Sequence, residues 1–154
     1  MLFLVTTAEA NPTPEYVKLL LNHIHSISGL EVPEYDNPLF PKIILTDKQT
    51  VSTVVCGTAK SCLAVAATKG TTIYISTKDI NLNTPEGDTV LYHELVHVAQ
   101  FTSRGVAKNC IEWRDREIQA YLLQKHYGIT KHSIDLDWID HWINYIGERC
   151  NYSK

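Results

Sequence analysis

His93, Glu94 and His97 stand in LYHELVHVAQF, residues 91–101, a run that is otherwise mostly apolar. Removing unpaired polar groups from water is costly, so these three need a compensating partner. Positions four apart share one face of a helix. His93 and His97 would bring their rings to a single point, which suits two ligands of a tetrahedral zinc ion. Glu94 lies about 100° further round the helix. It cannot easily reach the ion, but it can reach a water held there, the general-base position of an H-E-x-x-H arrangement. Zinc would lower the pKa of that water, and Glu94 would take its proton as the oxygen attacks a carbonyl.

A catalytic zinc site needs a third protein ligand and an open fourth position. No later histidine extends the motif to HExxHxxGxxH. The expected third ligand is Glu117, in REIQAY. Trp113, Glu117, Ala120, Tyr121 and Gln124 share one stripe of the next helix, and Ala120 would let two helices pack closely round the ion. Glu112 and Asp115 compete, but they fall on other faces beside Arg114 and Arg116, where they read as solvated ion-pairing positions. Tyr121, His126, Tyr127 and His132 are candidates for stabilising a transition state, and none is assigned. His23, His25 and His141 are expected at the surface or the edge of the core, and the Trp138/Trp142 pair in packing.

These side chains must be positioned by a regular framework. Thr13-Pro14-Glu15 predicts a helix start with a hydroxyl cap, proline at the first turn and an acid at the positive end of the dipole. That helix runs through YVKLLLNHIHSIS and stops at Gly29. Four strands are expected next: KIILT, STVVC, LAVAAT and TTIYIST, short antiparallel pieces joined by tight turns such as Lys69-Gly70. The segment 84–88 offers two caps, at Thr84 and Asp88, for a helix over 88–103 ended by Arg104-Gly105. Leu91, Leu95, Val98 and Ala99 form an apolar arc, and the helix is apolar nearly all round, as a central helix should be. A further helix over IEWRDREIQAYLLQKHYG would close at Gly128. The last, around LDWIDHWINYIGERC, carries Ile139, Ile143 and Ile146 at core spacing. The order predicts an α+β domain with a small, mostly antiparallel sheet, an N-terminal helix, a central site helix and two C-terminal helices.

The 154 residues suffice for one domain with a real core. Apolar residues at 44% and charged residues at 20% are ordinary for a globular protein, and a net charge of −3 offers no basic stripe for nucleic acid. No apolar run reaches the roughly 20 residues of a membrane span. MLFLVTTAEANPTPE reads either as the tail of a secretory leader or as a short strand or loose N-terminal tail, so residues 1–12 stand apart from a single domain at 13–154. Four cysteines allow three connectivities. A Cys56–Cys62 bond would close a hairpin, and a Cys110–Cys150 bond would tie distant helices. The even count fits a secreted or periplasmic setting, with a cytoplasmic chain of free thiols as the alternative.

HELVHVAQ followed by an E-x-x-A segment resembles zincin metallopeptidases of the gluzincin type. It is most similar to small bacterial metallopeptidases of the injection-system-core type, whose HEL-x-H-x-x-Q follows a strand, as TTIYIST would. The similarity covers about residues 71–124. It implies zinc (Zn2+) on His93, His97 and Glu117, Glu94 as catalytic base, and Gln100 as a residue behind the ligands or at a helix contact. It also implies a sheet edge, LAVAAT or TTIYIST, along which a peptide or protein substrate adds as a strand. The expected function is therefore zinc-dependent hydrolysis of peptide bonds. The alternatives are a non-catalytic module held together by zinc and a disulfide-stapled secreted domain without metal.

Overall fold

The structure, a computed structural model, describes residues 11–57 and 64–150. Helix α1 (Pro14–Ser28) begins where Thr13 accepts the Tyr16 amide and ends at Gly29, whose φ of 72° is the left-handed cap expected there. Its buried residues Val17, Leu20, Leu21 and Ile24 follow helical spacing and face the core. Strand β1 (Lys42–Thr46) follows.

STVVC is not a strand. It lies in helix α2 (Lys48–Cys56), capped by Asp47, whose side chain accepts the Thr50 amide, and closed by Gly57 at φ 67°. The β-branched residues favoured a strand reading, but capping at both ends and burial of Val51 and Ser52 on one face outweigh that preference. Strands β2 (Ala66–Lys69) and β3 (Thr72–Ser76) form a hairpin. Its two-residue loop starts at Gly70 with φ 63°, the pattern of a type II′ turn.

The sheet therefore has three strands in the order β1-β3-β2 and is mixed rather than mostly antiparallel. β2 pairs antiparallel with β3, but β1 pairs parallel with it. A parallel pair needs a crossover, which α2 and β2 supply. TTIYIST is accordingly the central strand and LAVAAT holds an edge.

Helix α3 (Pro85–Arg104) is capped by Thr84, not Asp88. It is the central element, packed against α1, α4 and both strands of the hairpin. Leu91, Leu95, Val98 and Ala99 are all buried, as their arc predicts. Helix α4 (Cys110–His132) does not close at Gly128 but continues one turn to a left-handed cap at Ser133. Gly128 is instead a close-approach position: a Cβ there would lie 2.5 Å from Leu136 Cδ1. Helix α5 (Trp138–Glu148) buries Ile139 and Ile146, while Ile143 is partly covered. Trp138 and Trp142 pack as expected, Trp138 edge-on to Tyr121 and Trp142 stacked on Tyr145, but at 52% and 43% exposed they do so at the surface rather than in the core. The α+β class and the order of helix, sheet and helices are as the sequence predicts.

Cys110 and Cys150 form a disulfide with Cα atoms 5.7 Å apart, tying the start of α4 to the end of the α5 segment. Cys56 is also disulfide-bonded. It ends a helix, so the expected strand-to-strand hairpin is not what it closes. Cys62 and the rest of residues 58–63, like residues 1–10, lie outside the described residues. Among the described residues, no helix is long and apolar enough to cross a membrane.

Candidate metal centre

The i, i+4 spacing on α3 brings the two imidazoles together as expected, with Nε2 of His93 and His97 3.1 Å apart. Glu117 reaches them from α4: one carboxylate oxygen is 3.0 Å from His97 Nε2 and the other 3.7 Å from His93 Nε2. Buried Ala120 on α4 lets the two helices approach closely at this point. Glu112 and Asp115 are not part of the group. Glu112 accepts the Lys108 amide at the start of α4, so its role is capping rather than ion pairing, and Asp115 pairs with Arg114. Arg116 is likewise occupied, donating to the Gly105 carbonyl.

Hydrogen bonding behind the rings fixes which nitrogens face the meeting point. Gln100 Nε2 donates to the Arg116 carbonyl at 2.9 Å, so its Oε1 must be the atom facing His97 Nδ1. A carbonyl oxygen only accepts, so His97 carries its proton on Nδ1. The same logic holds for His93. Thr89 spends its hydroxyl proton on the Glu86 carbonyl, so it accepts from Gln124 Nε2, and Gln124 Oε1 receives the His93 Nδ1 proton at 3.0 Å. Both Nε2 lone pairs therefore point at one another and at a carboxylate. Only a cation, a proton or a metal, satisfies that geometry.

The chemistry of the donor set fits a metal. Two imidazole nitrogens and one carboxylate are a usual zinc set, and bonds of 2.0–2.1 Å in a tetrahedron put donor atoms about 3.4 Å apart. The observed separations of 3.0, 3.1 and 3.7 Å bracket that value. His93, His97 and Glu117 could hold a metal ion.

With a proton in that place, burial works against charge on His97, but the Glu117 carboxylate outweighs it and holds the imidazole up at about 9. Burial likewise opposes charge on Glu117, and the two histidines overcome it, keeping its pKa well below the usual carboxylate range.

Glu94, 6% exposed, is held from the sheet: Thr68 on β2 donates its hydroxyl to Glu94 Oε2 at 2.6 Å. Tyr121 rests its ring 4.3 Å from the His93 ring, with burial pushing its phenol pKa up. Tyr127 and His132 belong elsewhere. They converge with Tyr16 on Asp88 Oδ atoms, at 2.7, 2.6 and 2.5 Å respectively. Asp88, read from sequence as a cap, is thus a buried anchor joining α1, α3 and α4. Sequence reasoning assigned no role to Thr68 or Gln124. Gln124 could have been found from its place on the Glu117 stripe, but nothing local marks Thr68. A cavity of about 680 Å³, lined by Arg104, Lys108 and Arg116 together with Glu112 and Asp115, includes none of the three candidate ligands.

Fold and site together define an α+β domain carrying a His/His/Glu donor set between two helices, with a glutamate beside it. The family model of the eCIS core domain, the core of extracellular contractile injection systems, matches residues 51–105. That span takes in the last two thirds of α2, the hairpin and α3, hence His93, Glu94 and His97, and stops before Glu117. No curated protein and no solved structure matches the chain.

Proposed function

We propose that this chain is a zinc-dependent peptidase of the zincin type, with His93, His97 and Glu117 as ligands and Glu94 as general base. The observation that carries the reading is the convergence of two oriented Nε2 lone pairs and a carboxylate beside a buried glutamate. A bound zinc supplies Lewis acidity for a water and for the scissile carbonyl. Glu94 takes the water proton and later returns it to the leaving amine. Gln100 and Gln124 keep the imidazoles turned toward the ion, the usual task of groups behind metal ligands. Strand β2 is an edge, so a peptide substrate can add to it by backbone hydrogen bonds.

The rival reading, a module in which zinc is only structural, needs a fourth protein ligand. The group found among the described residues has three members, His93, His97 and Glu117, which favours the catalytic reading. The eCIS core match supports a link to injection systems, and the disulfides support a secreted or periplasmic setting.

Elemental analysis with a general peptidase assay tests the reading. Wild type and Glu94→Gln should each carry about one zinc per chain, with Glu94→Gln at least about 100-fold slower. Glu117→Ala should lose zinc far more readily than Glu112→Ala. Metal-free protein with both histidines intact would end the proposal.

A further inference from the structure

We propose that Thr68 is a positioning residue for Glu94, fixing from the edge strand which carboxylate oxygen is left for the reacting proton. The proposal rests on the peptidase reading of the same site.

Thr68 Oγ1 lies 2.6 Å from Glu94 Oε2 and 3.2 Å from the Glu94 backbone carbonyl. A hydroxyl has a single proton to donate. The shorter contact takes it, because a hydrogen bond to a carboxylate is roughly twice as strong as one to a neutral acceptor. Glu94 is therefore pinned at Oε2, and Oε1 is left as the oxygen that meets the water. Without that bond the carboxylate is free to turn about its last torsion, which is broad and two-fold. A general base that is misplaced by about an ångström loses much of its effect.

The location matters as much as the bond. Thr68 belongs to β2, the strand along which the peptide backbone would lie. One element then sets both the height of the scissile bond and the aim of the base, so the two cannot drift apart. A merely structural tie between β2 and α3 makes a different prediction, because any side chain that fills the same space would serve.

The test compares zinc-loaded wild type, Thr68→Val and Thr68→Ser. Valine keeps the shape and removes the donor; serine keeps the donor and removes the methyl. Thr68→Val should retain full zinc and an unchanged KM while kcat falls about 10- to 100-fold, and Thr68→Ser should recover most of that loss. Crystal structures of the three should show one Glu94 carboxylate orientation in wild type and Thr68→Ser, and a turned or split one in Thr68→Val. An unturned carboxylate in Thr68→Val, or equal kcat losses in both variants, overturns the proposal. Zinc-loaded wild type that cleaves no peptide would instead count against the peptidase reading, and the carboxylate orientations would still decide the role of Thr68.

Discussion

At the scale of single residues, the centre is a competition between a proton and a metal for the same lone pairs. In the metal-free chain the His97 proton is bound up to about pH 9 because Glu117 lies beside it. That pair stabilises the fold fully below the ordinary histidine value of 6.5 and is lost as pH rises through about 9. Zinc must displace this proton. Zinc affinity of the metal-free chain should therefore rise roughly tenfold per pH unit toward pH 9 and level off beyond it. Calorimetry in buffers of different ionisation enthalpy should record close to one proton released per zinc. Affinity that does not change between pH 6 and 9 would show that the metal binds elsewhere. The residues of this centre were legible because their relation is local: His93 and His97 are one helical turn apart, and Glu117 sits on a readable stripe. Thr68 and Asp88 were not, because their partners lie 26 or more residues away and depend on which elements pack together.

At the scale of elements, α3 owes its position to a tight N-terminal approach. A Cβ on Gly87 would lie 1.8 Å from the Asn81 carbonyl oxygen and 2.5 Å from its carbon, so the first turn of α3 sits directly on the backbone of the loop before it. Backbone cannot swing aside as a side chain can. Gly87→Ala should therefore cost about 3 kcal/mol, the upper end of over-packing effects, measured as a drop in denaturant midpoint. A neutral substitution would mean the loop is free to move. Helix starts and stops such as Thr13, Gly29 and Gly105 were readable because caps act within a turn. The strand reading of STVVC failed for the opposite reason. Composition alone cannot weigh β-branched residues against an Asp47 cap and a buried Val51 face, and the parallel pairing of β1 with β3 follows from that helix.

At the scale of the whole molecule, the third candidate ligand rides on the part of the chain enclosed by the Cys110–Cys150 bond, a span of 40 residues. Closing a loop of that size restricts the unfolded chain by about 4 kcal/mol in the entropic account, and strain usually lowers the realised value. Cys150→Ser should lower unfolding free energy by about 2–4 kcal/mol. Zinc affinity should change little, since His93, His97 and Glu117 meet through α3–α4 packing alone. A large loss of zinc would show that the bond also sets the position of α4. The α+β class was legible at this scale because helix, sheet and helix segments differ in periodicity. The exposure of Trp138 and Trp142 was not, since an amphipathic pattern does not say how far a neighbouring helix covers it.

The same bond has a practical outcome for a molecule proposed to cut polypeptides. Residues 133–137, the short link between α4 and α5, lie inside the covalent ring. A chain severed there stays a single species on a non-reducing gel and parts into two fragments only when a thiol is added. Damage by self-digestion would thus be invisible to the eye until the sample is reduced.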